Sequence, residues 1–299
     1  MRKVVAIIIA CLIASTVLAE EDCTGAKHVI GEFNSTLLTD GSIAGWARNH
    51  VNVDGMRTAY HKVGTSKGAM TTVCNAGEAY LPNGTAFHGA DDCNAFIELY
   101  RTALKKGWKD PNIGAIRWYG VVGTDEATIA GRTVKGVIPT EQPDDSGFFV
   151  SPTKLADSKY KVTNQQRYLN AEVIPYATIT DSNKLISLGI KVGTFGVAYN
   201  RITQQTVTFV VGDIGPRVGE GSFALSKMLA GEPNLLATKA NLRRVSIDAP
   251  NILWVLFGTR TGLAEKPYTD VSIKQAAAKA FDTWGGTSRL DRCIANGEI

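Results

Sequence analysis

Residues 205–229 read QTVTFVVGDIGPRVGEGSFALSKML. Residues 205–211 are β-branched and aromatic with no helical period, which predicts a largely buried strand that delivers Asp213 at its end. The last seven residues predict a helix with Ser222 as its N-cap. The glycines in between allow backbone conformations that other residues resist, so we expect Glu220 on a tight turn beside the helix N-terminus. The stretch therefore predicts a strand, an acidic loop and a helix, with two carboxylates placed to share one substrate.

Each acid also has a purely structural interpretation. An Asp at the end of a strand often caps a turn, and a Glu near a helix N-terminus often complements the helix dipole. The local pattern alone does not separate a catalytic pair from two structural caps.

The acidic loop resembles the D-I-G-P…G-E-G-S signature of the family-75 glycoside hydrolases, the fungal-type chitosanases and their bacterial relatives. Further segments resemble that family in the same order along residues 50–286. They are residues 52–61 (NVDGMRTAYH), 118–122 (WYGVV), 147–153 (GFFVSPT), 167–168 with 173–176 (RY and VIPY), 188–193 with 197–200 (LGIKVG and VAYN) and 281–286 (FDTWGG). Single segments are weak signals, but their shared order is specific.

The resemblance implies endo-cleavage of β-1,4-linked glucosamine polymers such as chitosan by an inverting mechanism. In such a mechanism one carboxylic acid protonates the leaving oxygen and a second carboxylate activates water. The resemblance makes Asp213 and Glu220 this pair, with Glu220 as the acid and Asp213 as the base. The opposite assignment stays open, because a helix N-terminus favours the charged form of a nearby Glu.

Four further residues are candidates for substrate binding. Asp54 could bind a substrate amine, although Asp-Gly is also a common turn signal. Tyr60 and Tyr119 could stack on sugar rings, although aromatic residues in β segments more often pack in a core. Of the four histidines, His61 is the one most expected to line a cleft, although a histidine more often has a structural role at the surface or in the core.

The N-terminus has the layout of a secretory signal. Arg2 and Lys3 precede a short apolar run, and residues 17–19 precede Glu20. This predicts a cleaved signal peptide over residues 1–19 and a single catalytic domain over residues 20–299. No stretch approaches the roughly 18 apolar residues of a membrane span, so we expect a secreted, extracellular or periplasmic protein with no membrane attachment after cleavage.

The cysteines that follow the signal predict two disulfides in an exported protein. They are Cys23, Cys74, Cys93 and Cys293. Three connectivities are open from the sequence, of which we favour Cys74 with Cys93 as a local loop and Cys23 with Cys293 as a link between the termini. No C-x-x-C pair or histidine array is present, so neither a metal site nor a cofactor is expected.

Charge and composition limit the classes of molecule that the protein is expected to bind. The chain has 299 residues, 44% of them hydrophobic, and a formal net charge of +4. Its Lys and Arg residues are scattered, which argues against a nucleic-acid binder. The charge does not favour a cationic polysaccharide either, so attraction for chitosan would have to come from a local acidic cleft. We expect a monomer that acts on a polysaccharide.

Short β-branched runs separated by turn residues dominate residues 115–215. We predict strands over residues 176–180, 185–192, 195–199 and 251–257, and helices over residues 95–106 and 272–284. Asp92 or Asn94 could cap the first helix. The pattern predicts a mainly β fold with peripheral helices and a compact barrel. Analogy with other carbohydrate-active enzymes suggests six strands of the double-psi type.

Two alternatives to a chitosanase remain at this point. One is a hydrolase of peptidoglycan or another aminoglycan, because the linkage chemistry is shared. The other is a noncatalytic wall-binding protein built on a similar barrel.

Overall fold

The computed structural model describes residues 23–295, so the predicted signal peptide lies outside the described residues. Residues 23–295 form thirteen β-strands and six α-helices. The strands are β1 (Gly25–Ile30), β2 (Phe33–Leu38), β3 (Ile43–Asn52), β4 (Gly77–Tyr80), β5 (Ala86–His88), β6 (Ala115–Trp118), β7 (Gly123–Ile129), β8 (Arg132–Pro139), β9 (Tyr176–Ile179), β10 (Phe195–Asn200), β11 (Thr206–Ile214), β12 (Glu220–Ser222) and β13 (Ile247–Gly258). The helices are α1 (Cys93–Lys106), α2 (Asn183–Ser187), α3 (Phe223–Leu229), α4 (Lys239–Arg244), α5 (Asp270–Trp284) and α6 (Gly286–Ala295).

Six of these strands close into a mixed barrel. Their order is β3, β12, β9, β11, β10 and β13, and β13 pairs back with β3. The pairs β3–β12 and β9–β11 are parallel, and the other pairs are antiparallel. The prediction of a mainly β fold with a six-stranded barrel and peripheral helices is therefore confirmed. The double-psi type stays a prediction.

Alternate side chains of the barrel strands fill its interior. Phe209 of β11 meets Trp254 of β13 with ring centroids 5.5 Å apart. The indole Nε1 of Trp254 donates to the carbonyl of Arg48 at 3.0 Å, so its one polar group is satisfied. Each large apolar side chain buried in this way stabilises the fold by about 1.5–3 kcal/mol. Helix α3 packs against β3, β9, β10, β11 and β12.

The outer face of the barrel packs against α5. This helix lies across β10 and β11. It begins after Thr269, whose hydroxyl accepts the N–H of Ser272 in a capping box. Near its end, Trp284 stacks on Phe257 of β13 with centroids 5.3 Å apart. The helix starts two residues before the predicted position because Thr269 is the cap.

Two further sheets lie outside the barrel. Strands β5, β4 and β6 form one, and β7 and β8 form a hairpin. Of the strands within residues 115–215, only β9, β10 and β11 belong to the barrel, and β3 and β13 come from either side of that range. Helix α1 packs on β6 through Phe96, whose ring meets Trp118 at 6.0 Å. Asp92 is the N-cap of α1, since it accepts the N–H of Ala95 at 3.1 Å.

One predicted strand is wrong. Residues 185–192 contain the end of α2 and a turn, not a strand. Ser182 caps this helix by accepting the N–H of Lys184. Gly189 has φ +73°, a left-handed conformation that interrupts any strand here. Leu185 and Ile190 are buried in one cluster with the barrel residues Phe209 and Trp254.

Both favoured disulfides are present. Cys74 and Cys93 have Cα atoms 5.3 Å apart, and Cys23 and Cys293 have Cα atoms 5.1 Å apart. Two disulfides fit a protein from an oxidising, extracytoplasmic compartment. No helix within residues 23–295 is long and apolar enough to cross a membrane.

The two disulfides are expected to differ in their contribution to stability. The bridge Cys23–Cys293 spans 270 residues and the bridge Cys74–Cys93 spans 19. Closing a longer loop removes more entropy from the unfolded chain, so replacing the first pair by Ser should cost about 5 kcal/mol and the second about 3 kcal/mol. Equilibrium urea unfolding of the mature protein and the two double variants measures this difference. Equal losses would contradict the loop-length argument, and a free thiol at Cys74 or Cys93 in secreted wild-type protein would contradict the pairing.

Candidate active site

A bulge in β11 turns Asp213 out of the barrel. Val211 pairs with Ala177 of β9, and Asp213 pairs with the next residue of β9, so Gly212 is the extra residue. A Cβ at Gly212 would lie 2.7 Å from the side chain of Tyr176, which leaves room only for glycine. Val211 packs in the barrel interior. The bulge therefore places Asp213 on the outer face that it shares with Tyr176.

The carboxyl group of Asp213 is buried, with 6% of the residue exposed. Its Oδ1 accepts the backbone N–H of Lys154 at 3.0 Å and of Ile214 at 2.9 Å. Burial raises the pKa of Asp213 to about 6, although the two backbone hydrogen bonds lower it, and the negative charge of Glu220 adds to the rise. Asp213 therefore holds its proton in mildly acidic solution.

Glu220 opens the short strand β12. It pairs with His50 of β3, and Gly219 before it has φ +109°. The expected tight turn thus ends at Gly219, and Glu220 itself is extended. Its side chain is 17% exposed, and its Oε1 lies 3.5 Å from Nε of Arg217. A Cβ at Gly215 would lie 3.3 Å from Glu220 Oε2, so the glycine leaves space for the carboxylate.

Ser222 fixes the end of β12 and the start of α3, as predicted. Its hydroxyl accepts the N–H of Leu225 at 3.1 Å, which makes it the N-cap. The same oxygen accepts the N–H of Tyr176 at 3.1 Å and donates to the carbonyl of Ile174 at 2.8 Å. The cap therefore also holds β9 beside β12.

Asp54 lies on a turn and faces the cleft at the same time. The side chain of Asn52 accepts the N–H of Asp54 at 2.8 Å, and Gly55 has φ +83°. This is the Asp-Gly turn that the sequence suggests. The Asp54 carboxylate accepts the hydroxyl of Tyr60 at 3.0 Å and lies 3.3 Å from the hydroxyl of Ser151.

The negative charges of neighbouring acids act on Asp54 and on Asp213. Burial raises the pKa of Asp54 well above its usual range, and the charges of Asp213 and Glu220 raise it further. Like charges at close range disfavour simultaneous ionisation. Carboxyl groups with such unequal environments are characteristic of acid–base sites.

An open cleft of about 620 Å³ lies beside Asp54 and Glu220, and Ile214, the residue after Asp213, also lines it. Asp54, Tyr60 and Tyr119 line it together with Glu220. Tyr119 is 44% exposed and offers an aromatic surface. Tyr60 is 3% exposed, so its ring packs in the core and only its hydroxyl takes part, through Asp54. The cleft thus combines Asp54 and Glu220 with one exposed aromatic ring, and Asp213 adjoins its lining residue Ile214 in the chain.

His61 does not reach this cleft. It is buried, with 6% exposed, and its Nδ1 accepts the N–H of Val63 at 3.0 Å. Its Nε2 must then carry the proton that is donated to the carbonyl of Ser146 at 3.0 Å. Both ring nitrogens are engaged with the main chain, which gives His61 a structural role.

Sequence reasoning missed the basic side of the cleft. The basic residues that line it are His50, Arg217, Lys239 and Arg243. The last two are four residues apart on α4, a spacing that places them on one helix face and could have drawn attention. The hydroxyl of Thr178, opposite Asp213 in the ladder, was also missed; it is buried and makes no hydrogen bond within residues 23–295.

No group of three or more His, Cys, Asp or Glu side chains within residues 23–295 is arranged to hold a metal ion. In comparisons with known proteins, no family model and no curated sequence matches the chain. The resemblance to the family-75 glycoside hydrolases stays a prediction, and the function is argued from the site.

The buried carboxyl group of Asp213 should make stability depend on pH. Its pKa is about 6 in the folded protein, against an ordinary value of 3.8. The folded protein therefore keeps this proton longer than the unfolded chain, and the resulting stability is lost as pH rises from about 4 through 6. Asp213→Asn keeps an Oδ1 acceptor and removes the buried charge, so at pH 7.5 we expect it to be more stable than wild type by on the order of 3 kcal/mol.

Urea unfolding at pH 3.5 and 7.5 measures this effect, with the gap expected to shrink at the lower pH. Asp125→Asn is the matched control, because Asp125 is exposed and its ion pair with Lys109 lies at the surface. A large loss of stability in Asp213→Asn at pH 7.5 would instead identify Asp213 as a structural cap.

Proposed function

We propose that this protein is a secreted glycoside hydrolase that cleaves β-1,4 bonds in glucosamine-containing polysaccharides by an inverting mechanism. The observation that carries the proposal is a set of three carboxyl groups in unequal environments, of which Asp54 and Glu220 line one open cleft and Asp213 directly precedes its lining residue Ile214. Inverting hydrolysis needs a protonated carboxyl group and an ionised one on opposite sides of the bond. The two disulfides support export.

Asp213 is the better candidate for the general acid. Its burial and raised pKa keep a proton available for the leaving oxygen. Glu220 lies beside the guanidinium of Arg217, which pairs with a carboxylate, and so suits the base that activates water. These roles reverse the assignment favoured from the sequence.

The open cleft and its polar residues suit an internal stretch of polysaccharide. Tyr119 can stack on a sugar ring, because aromatic faces bind the apolar faces of sugars. Asp54 can accept the ammonium group of glucosamine, which would favour its ionised form. This local acid supplies the attraction for an amino sugar that the net charge of the chain does not.

Amide replacements test the catalytic pair. Asp213→Asn and Glu220→Gln preserve shape and remove acid–base function, so turnover should fall by about 10²–10⁴ while the fold is retained. The assay is release of reducing ends from soluble chitosan by the mature protein, with the anomer of the first product followed by NMR.

Asp125→Asn and Glu126→Gln are controls with the same chemical changes on the exposed hairpin β7–β8. Both should retain wild-type turnover. Near-normal turnover in either site variant would contradict the assignment, and a product of retained configuration would contradict inversion. If no glucosamine polymer were cleaved, yet one were bound, a noncatalytic wall-binding role would be favoured.

The pH profile tests the division of roles. If Asp213 donates the proton, kcat should fall above about pH 6, as its pKa predicts. Initial rates at saturating substrate between pH 3.5 and 8.5 measure this fall in kcat. A kcat that keeps rising to pH 8 would exclude Asp213 as the acid.

A further inference from the structure

One wall of the cleft carries cations that are not matched by acids. Lys239 and Arg243 on α4 both line the cleft and are exposed. Neither forms an ion pair with a carboxylate of residues 23–295. Arg244, their neighbour on the same helix, does pair with Glu232 at 2.7 Å. The two positive charges directed at the cleft are therefore available to a ligand.

Arg217 adds a third cation from the loop before β12. Its Nε is buried and makes no hydrogen bond within the described chain, although it lies 3.5 Å from Glu220 Oε1. Its other contact is with the exposed Glu32 at 3.8 Å. A guanidinium has five N–H donors, so most of them remain available here.

The remaining charged groups of the cleft do not neutralise the positive charge of Arg217, Lys239 and Arg243. His50 also lines it, but its Nε2 lies 2.8 Å from Asp248, which compensates any positive charge on the ring. Asp54 and Glu220 are the acids in the lining. Glu220 can offset one guanidinium, and Asp54 comes from the turn after β3, four residues beyond His50. The cleft therefore has an acidic part and a basic part.

We propose that Arg217, Lys239 and Arg243 bind an acidic substituent of the polysaccharide. The inference rests on the proposed glycosidase function and deepens it: the substrate is an aminoglycan that carries anionic groups, not a uniformly cationic chain. Arg side chains bind carboxylate and phosphate through paired N–H donors, and Lys adds a point charge. A polymer with an ammonium group on every sugar would place like charges against this wall.

Matched chitin derivatives separate charge from sugar recognition. Binding of the full mature Asp213→Asn protein is measured by calorimetry at low ionic strength with glycol chitin, carboxymethyl chitin, phosphorylated chitin and chitosan. We expect at least about tenfold tighter binding of an anionic polymer than of uncharged glycol chitin, and loss of most of this preference at high salt.

The double variant Lys239→Gln/Arg243→Gln, made in the same background, should lose most of the preference. Lys105→Gln/Lys106→Gln is its control, because it removes two exposed charges from the end of α1, outside the cleft. The control should keep the preference. Melting temperatures of both variants confirm that each is folded.

Equal binding of glycol chitin and both anionic polymers would overturn the inference, and so would equal effects of the two double variants. Tighter binding of carboxymethyl or of phosphorylated chitin supports it and identifies the acidic group. Wild-type rates on the same polymers test the catalytic function separately. If none is cleaved while the charge-dependent binding persists, the hydrolase proposal fails and the anion-binding wall stands.

Discussion

The hydroxyl group of Ser222 joins three segments at the weakest seam of the barrel. Strand β12 has three residues and pairs with β9 only between Gly221 and Ala177. The hydroxyl donates to Ile174 and accepts from Tyr176 and Leu225, so its one donor and both lone pairs are used. Since Ser222 is fully buried, any of these bonds left unmade would cost the desolvation of its partner. Closure of the barrel and the start of α3 therefore depend on the same oxygen.

That seam also positions the candidate site. Glu220 begins the strand that Ser222 ends, and its parallel pairing with β3 brings it beside His50. The other two acids are positioned by backbone irregularities of their own, Asp213 by the bulge at Gly212 and Asp54 by the turn at Gly55. Irregular backbone of this kind persists where the surrounding structure fixes it, and it is common at functional sites.

The charged groups at the site destabilise the fold, but they are suited to catalysis and ligand binding. An apolar side chain at position 213 would be easier to bury than a carboxyl group. The fold instead places this acid near two others, and Arg217, Lys239 and Arg243 line the cleft that Asp54 and Glu220 share. Such a distribution has little structural use at an open surface, whereas it suits a ligand that bears groups of both signs.

Local signals in the sequence determined several elements by themselves. The bounds of α3 with its cap at Ser222, and β11 leading to Asp213, follow from side-chain period and capping chemistry within a few residues. For α1 the sequence left Asp92 and Asn94 open as caps, and the structure selects Asp92. The strand predicted over residues 185–192 is wrong because a short apolar segment fits a buried strand and a short helix equally well. Only packing against the barrel decides between them.

The site itself depended on tertiary structure. Asp54 could be a turn residue or a cleft residue from its sequence. It is both, because the chain that follows β3 is held to β9, where the hydroxyl of Tyr176 donates to the Asp54 carbonyl. Tyr60 and His61 are adjacent in sequence, yet one hydroxyl reaches Asp54 while the other side chain is bound to a distant loop. Lys239 and Arg243 line the same cleft as Glu220, although α4 follows β12 by some twenty residues in the chain. Local hydrogen bonding and residue period are properties of the sequence, whereas the meeting of these residues requires strand pairing between distant segments, which no local pattern specifies.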